Sequence, residues 1–306
     1  MIDMNIIVDT IDKVNIRIDV FLKDTLDLSR NYVEKVIESG NLKVSGVVID
    51  KPSYKTRLGD VIEFTELPST PLSAEPENLP LDIIYEDDDI LIVDKKRVMV
   101  VHPSAGHNSG TLVNAVLYHS KGKLSDINGV LRPGIVHRID KDTSGILCIC
   151  KNDVAHKSIA SQFSNHTNVR KYKAIVKGVI KKDEGIIEKP IGRDKNNRLR
   201  MAIDINGKNA STEYKVIKRY DNYTYIECNL HTGRTHQIRV HMKDLGHPLL
   251  GDMTYGRPDK NFPNLQGQIL HAYYLKIMHP RTHKTIEFES EVPPYFKEIL
   301  DILDGK

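Results

Sequence analysis

The sequence predicts an α+β protein in two parts, a small α+β unit followed by a larger domain built on a mixed, mainly antiparallel sheet. Three observations lead there. Beyond residue 80, strand-like runs outnumber helical ones and do not alternate regularly with them, which argues against a doubly wound parallel sheet. The chain has 306 residues, enough for about two domains at ~150 residues each. Residues 68–80, PSTPLSAEPENLP, are rich in proline, serine and glutamate and have no hydrophobic periodicity, the composition of a linker. The expected division is residues 1–70, a linker at 71–80, and a domain over 81–306.

In the first part, LSRNYVEKVIESG reads as a helix. Ser29 is its expected N-cap, Tyr32, Val33, Val36 and Ile37 form the apolar stripe, and Gly40 is the stop. Short strands are expected at 42–44, 47–49 and 61–64, separated by Ser45-Gly46 and Leu58-Gly59-Asp60 turns. In the second part, strands are expected at 83–85, 90–93, 98–101, 135–136, 146–150, 171–177, 212–217 and 223–230. Helices are expected over 111–119, after a cap at Asp153, and after a cap at Thr235, where Ile238, Met242 and Leu245 share a face. A short helix should follow Val292-Pro293-Pro294.

Composition is that of an ordinary globular chain, 40% hydrophobic and 28% charged. Three cysteines provide no disulfide framework and suit a reducing compartment. Cys148 and Cys150 alternate within GILCICK and are expected on one face of a buried strand. The start of the chain carries Asp3, Asp9 and Asp12 before its first lysine and lacks the basic, then apolar, pattern of a signal peptide. No run approaches the ~18 apolar residues of a membrane span, so a cytoplasmic protein is expected. Net charge is only +3, yet residues 170–219 hold 15 Lys/Arg against 6 Asp/Glu. A basic block inside a folded domain points to a polyanionic partner such as a nucleic acid. Residues 1–75 run the other way, with 9 against 13. His231, His236 and His241 are spaced by five, which does not bring them to one helical face, so no zinc site is expected.

The densest chemistry lies in RPGIVHRIDKDTSG, residues 132–145. An apolar strand runs into a loop holding His137, Arg138, Asp140, Lys141, Asp142, Thr143 and Ser144, then leaves through Gly145 into another apolar strand. Polar residues concentrated at the end of a buried strand read as a site on a rigid scaffold, although a solvated hairpin has the same outline.

HRIDKDTSG resembles the HRLDxxTSG signature of the RluA-type RNA pseudouridine synthases. RKYKAIVKG is similar to that family's second motif, and KPIGRDKNNRLRM with GKNASTEY to its middle segment. HTGRTHQIRVHMKDLGHPLLGD resembles its third motif, continuing into a GDxxYG run at 251–256, and HAYYLKIMHP resembles its late strand. The likeness runs from about residue 81 to 292. Residues 17–64 resemble the S4 RNA-binding module. One stretch departs from the pattern: where the family carries Lys-Pro-Ala/Ser-Gly, this chain has Lys95-Lys96-Arg97-Val98, so its turn lacks both proline and glycine.

The resemblance implies a pseudouridine synthase fold, RNA as partner, and isomerisation of uridine to pseudouridine without cofactor or metal. Large-subunit ribosomal RNA is the expected target, transfer RNA is an alternative, and a monomer is expected. A catalytically silent S4-containing RNA-binding or ribosome-assembly factor is the competing reading. By resemblance, Asp140 is the catalytic carboxylate, acting either as a nucleophile or as a base toward a sugar proton. Arg234 is its ion-pair partner, Tyr172 packs on the target base, and Arg138, beside His137, enters the RNA. Ile238 would floor the uracil, although its place on the helix stripe fits core packing equally well. Lys171, Lys173, Arg193, Lys195, Arg198 and Arg200 are candidate phosphate contacts, joined by Arg17 and Arg30 in the S4-like part.

Overall fold

The structure is a computed structural model that describes residues 3–26, 30–65, 74–104, 107–129, 132–197, 199–265 and 267–306. The expected cap Ser29, the candidate contact Arg198, the side chain of Arg30 and residues 71–73 of the expected linker lie outside the described residues. The chain divides into two compact units, Met1–Pro71 and Leu72–Lys306.

The first unit is a four-stranded antiparallel sheet with two helices: β1 (Asp3–Ile7), α1 (Ile18–Leu26), α2 (Arg30–Glu38), β2 (Leu42–Val44), β3 (Val47–Val48) and β4 (Val61–Thr65), in sheet order β1-β4-β2-β3. Val33, Val36 and Ile37 of α2 fall at i, i+3 and i+4 and meet Ile18, Phe21 and Leu22 of α1 over Leu42, Ile62 and Phe64 of the sheet. Gly40 ends α2 with φ +75, in the left-handed region where glycine has no steric cost.

The second unit contains β5 (Asp82–Glu86), β6 (Ile90–Lys95), α3 (Leu112–His119), β7 (Ser144–Cys150), α4 (Asp153–Ser164), β8 (Val169–Lys177), β9 (Glu184–Glu188), β10 (Ile191–Arg193), β11 (Met201–Ile203), β12 (Ser211–Arg219), β13 (Tyr223–Leu230), α5 (Gln237–Asp244), β14 (Leu270–Met278), β15 (Thr285–Glu289) and α6 (Pro294–Leu303). Nine of these strands form one sheet, ordered β5-β6-β7-β14-β8-β13-β12-β9 with β15 on β14. Its pairings are antiparallel except β7 with β14, which is parallel. The sheet is therefore mixed and mainly antiparallel, as the sequence predicts.

Both faces are covered in the middle of the sheet. Every residue of β7 is buried: Leu147 and Ile149 join the core shared with α3 and α5, while Ile146, Cys148 and Cys150 meet Ala155 and Ile159 of α4. On β8, Tyr172, Ala174 and Val176 face the α3/α5 side, and Ile175 faces Phe296 and Ile299 of α6. Gly145 closes the 132–145 loop because a Cβ there would collide with the backbone of Ala272, the β14 residue it pairs with.

Several local expectations differ. The run at 98–101 is not a strand: the carbonyls of Val100 and Val101 accept the N–H groups of Leu112 and Val113, the first two residues of α3. Asn152 caps α4, leaving the Asp153 carboxylate to accept the Ser125 hydroxyl at 2.7 Å. Helix α5 begins at Gln237, after His236 in a left-handed conformation (φ 58), so Thr235 is not its cap. The short strands β10 and β11 have no counterpart in the sequence reading.

The altered turn after β6 also has a physical signature. Lys95 is buried, and its ammonium donates to the carbonyls of Lys96, Met99 and Lys141 at 2.8, 2.9 and 3.1 Å. Burial pushes it down to about 7 against the pull of Asp142, Asp140 and Asp94. Val98, in the family's glycine position, has φ 71, a poor conformation for a β-branched residue, costing ~1–2 kcal/mol. Its side chain is 53% exposed, so little packing is lost on removing it. Allowing ~0.5–1 kcal/mol for glycine's greater unfolded-state freedom, Val98→Gly is expected to stabilise the protein by up to about 1 kcal/mol. Thermal melting checks this: a rise of ~1–3 °C is expected, and a fall would contradict the strain.

Candidate active site

The residues of the 132–145 loop converge with those of β8, α4 and the start of α5 around a cavity of about 410 Å³, within the usual range for ligand sites. Asp140, Arg138 and His137 come from the loop, Phe163 and His166 from α4 and its exit, Arg170 and Tyr172 from β8, and Arg234, His236, Ile238 and Arg239 from the turn into α5.

The loop is held from several sides. Lys95 holds the Lys141 carbonyl, Gln268 donates to the Thr143 hydroxyl at 3.0 Å, and the Ser144 hydroxyl lies 2.8 Å from both His271 Nδ1 and the Tyr295 hydroxyl. A further bond from the Thr143 N–H to the Asp140 carbonyl closes the turn. Asp140 is thus presented by a fixed backbone, with its side chain 19% exposed.

The ion-pair expectation needs correction. The cation on Asp140 is Arg239, whose Nη1 donates to Oδ2 at 2.9 Å, and not Arg234. Arg239 lies in the first turn of α5 and points inward, and it also binds Asp252 through Nε and Nη2 at 2.7 and 3.0 Å. Arg234 lines the cavity, but it precedes the helix and its Nε donates to the Asn209 carbonyl at 2.9 Å. Gln237 fixes that turn: its Oε1 accepts from the Arg234 N–H and the Thr232 hydroxyl, and its Nε2 donates to Ser211 O and Thr212 Oγ1.

The GDxxYG run supplies the support. Asp252 grips Arg239 and accepts the N–H groups of Thr254 and Tyr255, and the Tyr255 ring lies 5.0 Å from the Arg239 guanidinium. The Tyr255 hydroxyl accepts from Met201 N–H at 2.8 Å and shares a hydrogen bond with His236 Nδ1, also at 2.8 Å. His236 Nε2 lies 3.8 Å from Asp140 Oδ1. Burial lowers the pKa of His236, although Asp140 pulls the other way. The Arg239 guanidinium and the His236 ring therefore both face one carboxylate. Despite burial, its two carboxylate partners hold Arg239 more firmly charged than an ordinary arginine.

Tyr172 is buried on the cavity wall, and burial raises its pKa, so the phenol stays protonated. Ile238 both lines the cavity and packs in the main core, so its two readings coincide. Arg138 is exposed at the cavity. His137 is no mobile contact: its Nε2 accepts the Cys148 N–H at 2.9 Å and its ring stacks 4.3 Å from Phe163. Burial and nearby Arg170 push it down to about 3, so it is neutral.

Lys171 and Lys173 do not join the cavity. Strand alternation turns them away from Tyr172 to the opposite face, where Lys171 lies 3.5 Å from Glu227 and Lys173 sits over the Tyr273 ring. Arg193 falls on β10, and Lys195 and Arg200 are exposed near that hairpin. In the first unit, Arg17 is clamped by Asp19 through two bonds of 3.0 and 3.1 Å. The sequence reading missed Arg239, Asp252, Tyr255, His236 and Arg170, all of which stand inside the quoted motifs.

A paired carboxylate in a cavity with an aromatic wall is the arrangement of an enzyme that acts through a single carboxylate, and comparison with known proteins gives the class. The family model described as RNA pseudouridylate synthase matches residues 89–244, and the S4 domain model matches residues 16–62. The chain belongs to the RNA pseudouridylate synthase family, with an S4 domain at its N-terminal end. Among similar proteins, an uncharacterized RNA pseudouridine synthase of Bacillus subtilis, YlyB, is 49% identical over 288 residues, covering 94% of each chain. A ribosomal large subunit pseudouridine synthase D of Zymomonas mobilis is 45% identical over 285 residues, covering 90% of each. The solved structure of human RNA pseudouridylate synthase domain containing 1 superposes with a TM-score of 0.59 at 25% identity, covering 75% of this chain and 97% of that one.

The buried Asp252–Arg239–Asp140 arrangement predicts a contrast between two arginines. Arg239→Met strands the fully buried Asp252 carboxylate and should cost about 3–5 kcal/mol of stability. Arg234→Met should change stability by no more than ~0.5 kcal/mol. Urea denaturation of the two variants checks this, and equal losses would refute the assignment of Arg239 as the supporting cation.

Proposed function

We propose that this protein isomerises uridines of large-subunit ribosomal RNA in the cytoplasm, with Asp140 as the reacting carboxylate. The observation that carries the catalytic assignment is the paired Asp140 carboxylate, held in a cavity that Tyr172 also lines. In the reaction the N1–C1′ bond breaks, the uracil turns, and a C5–C1′ bond forms. The C5 proton leaves to solvent, and N1 gains a proton. Asp140 serves either as nucleophile or as base toward the sugar, and the Arg239 bond at 2.9 Å fixes the direction of its carboxylate.

Tyr172 offers an aromatic face to the extruded base and a phenol near its ring, and Ile238 supplies apolar contact beneath it. Exposed Arg138 suits filling the gap a flipped uridine leaves, since a guanidinium plane stacks on bases and pairs with phosphate. The S4 unit, over residues 1–70, adds affinity for RNA, and residues 81–306 carry the chemistry. The target is argued from relatives named as large-subunit synthases. The cytoplasmic assignment follows from that target. Among the described residues no helix is long and apolar enough to cross a membrane.

Tritium release from [5-³H]uridine-labelled large-subunit RNA tests the reading. The wild type should release label, and Asp140→Asn should abolish release while RNA binding persists. Release by that variant at the wild-type rate would remove Asp140 from the chemistry, and no release by the wild type from any RNA would favour the silent RNA-binding factor. Mapping carbodiimide-reactive uridines in a deletion strain against its parent identifies the target, and a lost site in transfer RNA would displace the ribosomal assignment.

A further inference from the structure

Arg170 is a buried cation that the catalytic arrangement does not use. It is 8% exposed and lines the cavity. Among the described residues no carboxylate lies within ion-pair distance of it, and its Nε has no hydrogen-bond partner. The guanidinium rests 5.2 Å from the Phe163 ring centroid and against the backbone of Gly233, where a Cβ would lie 2.5 Å from Nη1. Glycine at 233 thus leaves room for the guanidinium. A guanidinium held mostly out of water with no carboxylate beside it is expensive, and arginine cannot escape by losing its proton.

The surroundings share the same sign. Arg138 and Arg234 also line the cavity, and the sole carboxylate among its lining residues is Asp140, already matched by Arg239. His166 stands at the same end, and the charges of Arg170 and Arg234 help depress its pKa after burial does so. We propose that Arg170, seated on Gly233 and flanked by Arg234, is the seat of a backbone phosphate of the RNA, the one flanking the uridine drawn into the cavity. The inference rests on reading this cavity as the uridine site. A phosphate oxygen is the acceptor that a guanidinium binds with two parallel bonds. The phosphate would complete Arg170 when RNA is bound, so the cost of burying the bare cation is offset in the complex.

Filter binding of unmodified large-subunit RNA transcript by the full-length protein, over a range of salt concentrations, tests the proposal. Arg170→Gln should weaken binding about tenfold or more, and the slope of log affinity against log salt should shrink by about one contact. Arg170→Lys should restore the slope, because it restores the charge. A merely structural role would lower the melting temperature and leave the slope unchanged, and that result overturns the proposal. Should Arg170→Gln fail to fold, Gly233→Ala displaces the guanidinium while keeping its charge. Weaker RNA binding is expected from it, and unaltered binding also overturns the proposal. Binding is read independently of turnover, so loss of the phosphate seat and failure of the isomerase reading are separately visible.

Discussion

The carboxylate at the centre of the cavity depends on one arginine that serves two masters. Arg239 reaches Asp140 with one nitrogen and Asp252 with two. A guanidinium presents its donors in a fixed fork, so holding Asp252 bidentately fixes the direction of the remaining Nη1 bond. Asp252 is itself anchored by two backbone N–H groups. The position of Asp140 Oδ2 is therefore set by a chain of geometry running from the 252–255 turn through α5. Lysine could not do this, because a single ammonium has no plane.

The second constraint is that the cavity is assembled at the end of a fully covered sheet. β7 is buried on both sides, so the residues before it have no freedom to drift with the strand. Tyr172 shares the face of β8 that carries Ala174 and Val176 into the main core. Packing that stabilises the sheet also aims the aromatic ring, and fold and site use the same alternation of side chains.

Much of this was legible in the sequence. The 132–145 loop announced itself by seven polar residues just before an apolar strand, although the strand expected at 135–136 is only an isolated bridge from Ile135 to Ile149. The mixed sheet followed from irregular spacing of strands and helices. Arg239 was hidden because it sits on a helix stripe next to Ile238, where a charged residue reads as a surface position until a buried carboxylate is found opposite. Arg234, beside a helix start, looked better placed than it is. The side to which Lys171 points follows from Tyr172 by strand alternation, and that signal was available. β10 and β11 span three residues each and carry no alternation to detect. The run at Val98 failed as a strand because its neighbours' carbonyls are committed to α3.

The bond between Ser144 and Tyr295 spans 151 positions of the chain. Ser144 opens β7 at the end of the 132–145 loop, and Tyr295 lies in α6. A contact between positions so far apart in the chain carries a large loop-closure cost, so it forms after the local elements it joins. The frame around Asp140 is therefore a product of tertiary assembly and not of the loop's own sequence, and a peptide cut from residues 132–145 would not hold its shape.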